Sequence, residues 1–212
     1  MIDIRKLSKD EIKTLAKPII INKHYAGRMP SVSYAYGMFK DGNIIGVVTF
    51  GKPASNSLCI GVCGKEYSSK VFELNRLIFI EDVHNGASKL IGFALRDLKQ
   101  YGLIIVSYAD TGANHAGYVY QATNFLYTGK TAKRTDKYVG DGIHSRHYQG
   151  KESKKYRQVR TSKHRYVTFV GSKTQTSKFR KALNYSIEPY PKTENIRYNL
   201  GDKIKPILIP IK

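Results

Sequence analysis

Two apolar stretches of the sequence carry polar residues that could do chemistry. VFELNRLIFI (71–80) has the β-branched and aromatic composition of a buried strand, yet Arg76 lies in its middle, close to Glu73. LIIVSYADT (103–111), a second apolar stretch, ends at Asp110. A guanidinium inside a strand must be paired, and it can offer a planar fork to a carboxylate, a phosphate or a developing oxyanion. An aspartate at a strand end can accept a proton or hold an amino group, and capping of the next turn is an equally good explanation.

Strand alternation bears on the choice between a functional and a structural role for the arginine. Regular alternation places Glu73 and Asn75 on one face, and Leu74 and Arg76 on the other. An ion pair between Glu73 and Arg76 within the strand is then disfavoured. A pair between Arg76 and Asp110 that only fastens the sheet is the structural alternative, and we favour a functional site.

The first stretch is followed by a predicted helix over residues 84–102, which has an apolar stripe at helical spacing. The N-terminus of a helix can bind an anion, and simple capping explains Asn85 there equally well. The candidate cofactor-binding residues at this start and after the second strand are Asn85, Gly86, Ser88 and Asn114.

A second helix is predicted over residues 116–130, closed by Gly129. It carries Tyr118, Tyr120 and Tyr127. Core packing of the ring is the commoner role for any of the three.

His24 and Tyr25 precede Gly27 in a predicted loop, where they could relay a proton. A surface histidine without a role is the alternative. The other histidines show no metal-ligand spacing, which predicts no metal site and leaves an iron requirement open; they include His84, His115, His144 and His147. Cys59 and Cys63 are too few for a disulfide framework and are predicted to be reduced, partly buried thiols.

The net charge of +20 and the sequence pI near 9.9 predict a polyanionic partner, with nucleic acid as the first candidate. Residues 130–181 hold 16 Lys or Arg against 3 Asp or Glu, an excess of 13 that leaves only +7 for the other 160 residues. A solvated face is the alternative explanation of such a run. The candidate nucleic-acid contacts, which alternate with tyrosines, are Lys130, Lys133, Arg134, Arg146, Arg157, Arg160, Lys163 and Arg165; the tyrosines are Tyr138, Tyr148, Tyr156 and Tyr166.

The remaining pattern predicts a helix over 8–23, a β-hairpin around Asp41 and Gly42, and a loop over 52–70. After residue 130, two strands (TAKRTDKYVG and HRYVTFVGS) flank a polar segment, 141–163, that is predicted to order on its partner. A short helix (TSKFRKALNY) and an extended tail follow.

We predict one domain over 1–212, with a catalytic core in 1–129 and basic strands, a helix and a tail for DNA contact in 130–212. No apolar run approaches the roughly 20 residues of a membrane helix. The start of the sequence lacks the apolar block of a signal peptide, so a cytoplasmic protein without a membrane partner is predicted.

Six strings in the sequence together resemble the phage Mom family of DNA-modifying proteins: HYAGRMPS, GVVTFGKPAS, GVCG, ELNRL, SYADT and YQATNFLYTGKTAKRTD. They spread from His24 to Asp136, and EPYPK near the C-terminus adds to them. The resemblance implies conversion of adenine to N6-carbamoylmethyladenine in double-stranded DNA, which protects phage DNA from restriction in the bacterial host and requires base flipping. It favours a catalytic role for Asp110 over simple capping, and it makes His24 and Tyr25 candidates to stack on the extruded base.

The order of the predicted elements also resembles that of GNAT-type acyltransferases. This implies an α/β (α+β) fold with a central mixed, splayed sheet flanked by helices, here with a basic C-terminal extension. In that family a tyrosine at the position of Tyr120 commonly protonates a leaving thiolate. The resemblance therefore makes Tyr120 the candidate catalytic acid, with Tyr118 and Tyr127 as competitors. A cofactor pyrophosphate commonly lies on a glycine-rich loop, which corresponds here to EDVHNGASK with a single glycine.

The carbon donor stays open between an acyl thioester such as acetyl-CoA and a tRNA that carries glycine. Two other functions are alternatives. A GNAT-type N-acetyltransferase of a protein or small amine would have no use for the basic segment. A non-enzymatic nucleic-acid-binding protein would leave Arg76 and Asp110 without a task.

Overall fold

The computed structural model describes residues 1–24, 27–140, 155–192 and 207–211. Several residues singled out in the sequence lie outside these ranges, namely Tyr25, His144, Arg146, His147 and Tyr148. The described strands are β1 (Ile2–Lys6), β2 (Tyr34–Lys40), β3 (Asn43–Gly51), β4 (Val71–Phe79), β5 (Leu103–Asp110), β6 (Leu126–Lys130), β7 (Arg134–Lys137), β8 (Tyr156–Arg160), β9 (Lys163–Val170) and β10 (Ile207–Pro210). The described α-helices are α1 (Lys9–Glu11), α2 (Lys17–Lys23), α3 (Asn56–Tyr67), α4 (Gly86–Leu98), α5 (Tyr118–Ala122) and α6 (Lys173–Lys181).

Seven strands form the central sheet, in the order β1-β2-β3-β4-β5-β9-β6, and β10, β8 and β7 form a smaller one. Within the central sheet β4 and β5 are parallel, whereas the other pairs of neighbours are antiparallel. The sheet is therefore mixed, as the sequence predicts. Because β9 lies between β5 and β6, part of the basic C-terminal region belongs to the main sheet.

Helices cover both faces of the central sheet. On one face α4 packs Leu90, Ile91 and Leu98 against strand residues such as Val48 and Ile105. The stripe predicted for this helix is thus buried as expected. On the other face, α2 covers the β3 and β4 region through Ile20, and α3 and α6 cover β5 and β9.

Most local predictions in the first hundred residues are confirmed. Ser8 forms a capping box with Glu11, and a π-helical turn over Ile12–Ala16 joins α1 to α2 just before Pro18. The β2–β3 hairpin turns at Asp41 and Gly42, both of which have positive φ.

Two local predictions are wrong, and a third falls partly outside the described ranges. Residues 116–130 form the short α5 and then β6, because Asn124 takes a left-handed conformation that ends the helix and lets the chain pair with β9. The predicted loop over 52–70 contains α3, which Ser55 caps. Residues 141–154 of the predicted polar segment lie outside the described ranges, and its described end contains β8, which pairs with β7 and with β10 of the tail.

Both cysteines are free and buried on α3. No helix in the described ranges is long and apolar enough to cross a membrane.

Gly51 lies where β3 packs closely against the loop before β2. A Cβ at this position would lie 1.8 Å from the carbonyl oxygen of Ser31, so the backbone would have to move. We expect Gly51→Ala to lower the free energy of unfolding by about 1–3 kcal/mol, as overpacking does. Chemical denaturation measures this.

Gly92→Ala is the matched control. Gly92 lies inside α4, and a methyl group added there would meet only the end of the Arg96 side chain at 3.5 Å. This variant should gain up to about 1 kcal/mol from helix propensity. Equal effects of the two substitutions would contradict the predicted clash.

Candidate active site

The candidate site lies where β4 and β5 separate. Their parallel pairing ends at Leu74 and Ser107, and the Ser107 hydroxyl donates a hydrogen bond of 3.0 Å to the Leu74 carbonyl oxygen. Beyond this point β4 continues beside β3, and β5 continues beside β9. Arg76 and Asp110 both follow the separation, one on each strand, so the sheet holds them on opposite sides of a splay.

A β-bulge at Asn75 interrupts the regular alternation of side chains that the sequence predicts for β4. Thr49 pairs with Arg76 and Phe50 with Leu74, so Asn75 is an extra residue. Leu74 packs in the core cluster under α4. Arg76, as the partner of Thr49, turns instead toward the face covered by α2, because a bulge shifts the side chains that follow it.

The bulge also fastens the loop before β2. The Thr49 hydroxyl donates to Asn75 Oδ1 at 2.6 Å, and Asn75 Nδ2 donates to the Ser31 carbonyl oxygen at 2.8 Å. Arg76 Nη2 donates to the Arg28 carbonyl oxygen at 3.1 Å. Two side chains of β4 therefore hold the loop that follows His24.

His24 is a neutral imidazole beside Arg76. Burial, and then the nearby charges of Arg76 and His115, lower the pKa of His24 to about 3. Burial also lowers the pKa of His115, although Asp110 raises it. Neutral imidazoles can accept a proton or hydrogen bond at one nitrogen and donate at the other. These interactions link His24, Arg76, His115 and Asp110 in one cluster.

The carboxylate of Asp110 is held on both oxygens. Oδ1 accepts hydrogen bonds from the Gly112 amide at 2.9 Å and from the Thr161 hydroxyl, and Oδ2 lies 3.0 Å from Lys163 Nζ. Burial alone would raise the pKa of Asp110, but the Lys163 charge and these hydrogen bonds lower it below the ordinary value. Asp110 thus also caps the turn over Thr111–Ala113, the alternative role that the sequence left open.

Tyr120 lies on α5 with its ring against the core. Its ring centroid is 5.5 Å from that of Phe125 and 5.3 Å from that of Tyr166. Its competitor Tyr127 lies on β6, where its hydroxyl is 3.0 Å from His164 Nδ1. Packing therefore accounts for the position of both rings, and a role for Tyr120 as an acid stays a prediction.

The start of α4 has little in common with a phosphate-binding loop. Asn85 occupies the N-cap position, but its left-handed backbone leaves the side chain without a capping hydrogen bond. Gly86 is buried, and a Cβ there would lie 2.9 Å from the Phe79 ring, which explains the glycine by packing. Ser88 donates to the Asn85 carbonyl oxygen at 3.0 Å. Asn114, the fourth predicted cofactor residue, ends the turn after β5 in a left-handed conformation.

The predicted nucleic-acid contacts fall into two groups. Lys130, Lys133 and Arg134 are exposed at and after the end of β6, and Arg134 Nε also lies 3.8 Å from Asp136 Oδ1. The others are held by neighbours in the protein: Arg157 donates to Thr135, Arg160 donates to Asp136, Lys163 pairs with Asp110, and Arg165 donates to Thr128 and lies over the Tyr185 ring.

The sequence analysis did not assign three members of the cluster to the candidate site, namely Thr161, Lys163 and His115. Thr161 and Lys163 reach Asp110 because β9 runs antiparallel to β5, with Asp110 opposite Lys163. His115 is brought back by a hydrogen bond from its amide to the Asp110 carbonyl oxygen. In the described ranges, no group of three or more His, Cys, Asp or Glu residues is placed to hold a metal ion.

The sequence matches a known protein family. Residues 8–192 match the model of the Mom protein family. The chain belongs to the Mom family. A methylcarbamoylase Mom from Escherichia phage Mu is 28% identical over 198 residues, which cover 84% of this chain and 80% of that protein. The family resemblance read from the six strings is confirmed.

A solved N-acetyltransferase shares the fold. An N-acetyltransferase from Staphylococcus aureus Mu50 aligns with a TM-score of 0.50 and 12% identity over 79% of this chain and 96% of its own. A GNAT-family acetyltransferase from Bacillus cereus aligns with a TM-score of 0.45 and 16% identity over 80% of this chain and 98% of its own. The expected GNAT-like fold is confirmed, and the Mom membership supports a transferase.

The Asp110–Lys163 pair predicts a pH-dependent contribution to stability. Since the folded pKa of Asp110 is lowered, the contribution is present above the unfolded pKa and is lost as pH falls through the folded pKa. Asp110→Asn should lower the free energy of unfolding at pH 7 by about 1–2 kcal/mol, reduced by the partial exposure of Lys163. Urea titrations between pH 3 and pH 7 measure the difference.

The double variant with Lys163→Met completes a mutant cycle. If the ion pair is the cause, the second substitution should cost less in the Asp110→Asn background than in the wild type. Additive effects, or a loss that persists unchanged at pH 3, would contradict the assignment.

Proposed function

We propose that the protein is a transferase that modifies the N6 amino group of adenine in double-stranded DNA, forming N6-carbamoylmethyladenine. The observation that carries this proposal is the Mom membership over residues 8–192, with a relative named methylcarbamoylase. The modification would protect phage DNA from restriction in the cytoplasm of the bacterial host.

The side chains of the cluster suit the chemistry that modification of adenine N6 requires. Adenine N6 is a weak nucleophile because its lone pair is delocalised into the ring, so the base must be positioned, deprotonated and offered an activated carbon. Arg76 would stabilise negative charge that develops on the donor, through the fork of its guanidinium. Asp110, held by Lys163 and Thr161, would keep the amino group in line.

The loop that begins at His24 would receive the flipped base. Chemistry on N6 requires the nucleotide to leave the duplex, and an extruded base is stacked between side chains in such enzymes. His24 is neutral and adjacent to Arg76, and Tyr25 follows it in the sequence. We propose that these two residues contact the base, and that Tyr120 assists the leaving group.

The donor is an acyl ester or thioester. The charges before α4 help to distinguish these two classes of donor. Glu81 and Asp82 precede the helix, and the nearby Lys40 is 2.9 Å from Glu81 and so already paired. Two acidic residues precede the helix, and the single glycine of the stretch, Gly86, is packed against Phe79, so these residues do not fit the pyrophosphate of coenzyme A bound at the helix start. No step is therefore assigned to that group, and glycyl-tRNA and acetyl-CoA are the two candidates.

The DNA contact is proposed for the basic residues within 130–212, and catalysis for the core within 1–129. The exposed group formed by Lys130, Lys133 and Arg134 is the strongest part of this surface, since its charges face solvent. Phosphate contacts of this kind give affinity without reading sequence.

Arg76 is the first residue to test. Arg76→Ala should abolish the modified deoxyadenosine in DNA from cells that express the protein, because charge on the donor would be left without a partner. Nucleoside mass spectrometry measures the product. Arg96→Ala, which removes an exposed arginine from α4, is the control and should leave the yield unchanged. Unmodified adenine from a well-expressed, folded wild type would refute the proposed function.

DNA affinity should depend on salt through the exposed group. Replacing Lys133 and Arg134 by alanine should reduce the slope of log affinity against log salt by about 2, or about 1 per lost phosphate contact. Fluorescence anisotropy with a labelled duplex measures the slope.

The matched control removes two exposed lysines, Lys9 and Lys13, from the N-terminal helical segment. It changes the net charge equally but should leave the slope within about 0.5 of the wild type if binding is local. Equal slopes for both variants would mean that net charge, and not the exposed group, governs binding.

A further inference from the structure

Glu73 is a carboxylate at the last rungs of the sheet before the splay. It pairs with Val106 of β5 on one side and with Gly51 of β3 on the other. Its side chain is only partly exposed. Within the described ranges, no hydrogen bond or ion pair holds its carboxyl group, which distinguishes it from Asp110.

The surroundings of Glu73 are those of the candidate site. Three positive charges act on it, those of Arg76, Lys163 and Arg28. Two further titratable groups, Tyr108 and Cys59, feel its charge in turn. Lys163 also pairs with Asp110, so the two carboxylates share one ammonium group.

The protein shifts the pKa values of the two carboxyl groups, Glu73 and Asp110, in opposite directions. Burial raises the pKa of Glu73, although the three positive charges lower it in part. The pKa of Asp110 is lowered by Lys163 and by its hydrogen-bond donors. A pair of acidic groups whose environments separate their pKa values is the usual arrangement where one group exchanges protons and the other stays charged.

Geometry separates the roles in the same way. A proton could join Asp110 only by displacing Lys163, Thr161 or the Gly112 amide, because these donors occupy both oxygens. Glu73 has no such competitors among the described residues, and it lies on the same strand as Arg76, three residues away. Since a general base must have an oxygen within hydrogen-bond reach of the proton, the unoccupied carboxyl group is the better placed of the two.

We propose that Glu73 takes the proton from the attacking amine, and that Asp110 is a positioning residue. This rests on the proposed function. The amine nitrogen forms a bond to the carbonyl carbon of a glycyl ester, and its N–H proton passes to a carboxylate oxygen of Glu73. The carbon–oxygen bond then breaks, and the leaving alcohol departs with the electron pair and receives a proton from Glu73 or water. The resulting N6-glycyladenine has the same atoms as N6-carbamoylmethyladenine, and it becomes that product when the glycyl amine attacks ring carbon C6, the original C6–N bond breaks and a proton passes to the departing amide nitrogen.

The test compares Glu73→Gln with Glu66→Gln, the same substitution at an exposed site on α3. Single-turnover modification of a DNA duplex, with host extract as the source of donor, is followed by nucleoside mass spectrometry. Glu73→Gln should lower the rate by about 10²–10⁴-fold, as loss of a general base does, while Glu66→Gln leaves it unchanged.

Stability and DNA binding distinguish a base from a structural residue. Because the folded protein disfavours the charged form of Glu73, Glu73→Gln should keep or raise the midpoint of thermal unfolding and keep the DNA affinity. A lower midpoint together with weaker DNA binding would assign Glu73 to structure and overturn the proposal, as would a rate within about ten-fold of the wild type.

The pH profile separates the two carboxylates. The wild-type rate should fall as pH drops through the raised pKa of Glu73, and Asp110→Asn should keep this acidic limb at a lower rate. Loss of the limb in Asp110→Asn would make Asp110 the proton acceptor. A folded wild type that forms no modified adenine would instead remove the proposed function itself, a result that differs from an active wild type with an active Glu73→Gln.

Discussion

The separation of β4 from β5 determines where every side chain of the candidate site lies. Up to Leu74 and Ser107 the two strands share hydrogen bonds, and beyond that point each keeps only its antiparallel neighbour. A parallel pair that stayed closed would bury Arg76 and Asp110 between strands, where their charges would have no room for a substrate. Beyond the separation, β4 stays hydrogen-bonded to β3, and β5 stays hydrogen-bonded to β9. Each strand therefore keeps one hydrogen-bonded neighbour along the splay.

Much of the centre can be predicted from local sequence, since Arg76 and Asp110 are recognisable as charges within or at the end of apolar strands. The bulge at Asn75 cannot, because it depends on the register between β3 and β4. Nor can the contacts of Asp110 with Thr161 and Lys163, which arise from the placement of β9 between β5 and β6. The helix expected over 116–130 failed for a related reason, since pairing with β9 outweighed local helical preference.

Positive charge has two uses in this molecule. The exposed lysines and arginine after β6 face solvent, whereas Lys163, Arg160 and Arg165 are committed to partners inside the protein. A count of basic residues therefore overstates the charge that a nucleic acid would meet. The same commitment gives the site its asymmetry, because one ammonium group interacts with two carboxylates that differ in burial and hydrogen bonding.

The position of β9 also has a consequence for biosynthesis. Asp110 obtains its side-chain partners from residues 51 and 53 positions later in the chain, as the separations of Thr161 and Lys163 require. A nascent chain that has emerged only as far as α5 already contains Arg76 and Asp110, but it lacks the strand that fixes the second of them. Non-local pairing of this kind forms late and slowly. The contacts that hold Asp110 should therefore form only after β9 has left the ribosome and joined the sheet, so an interrupted translation product would lack them.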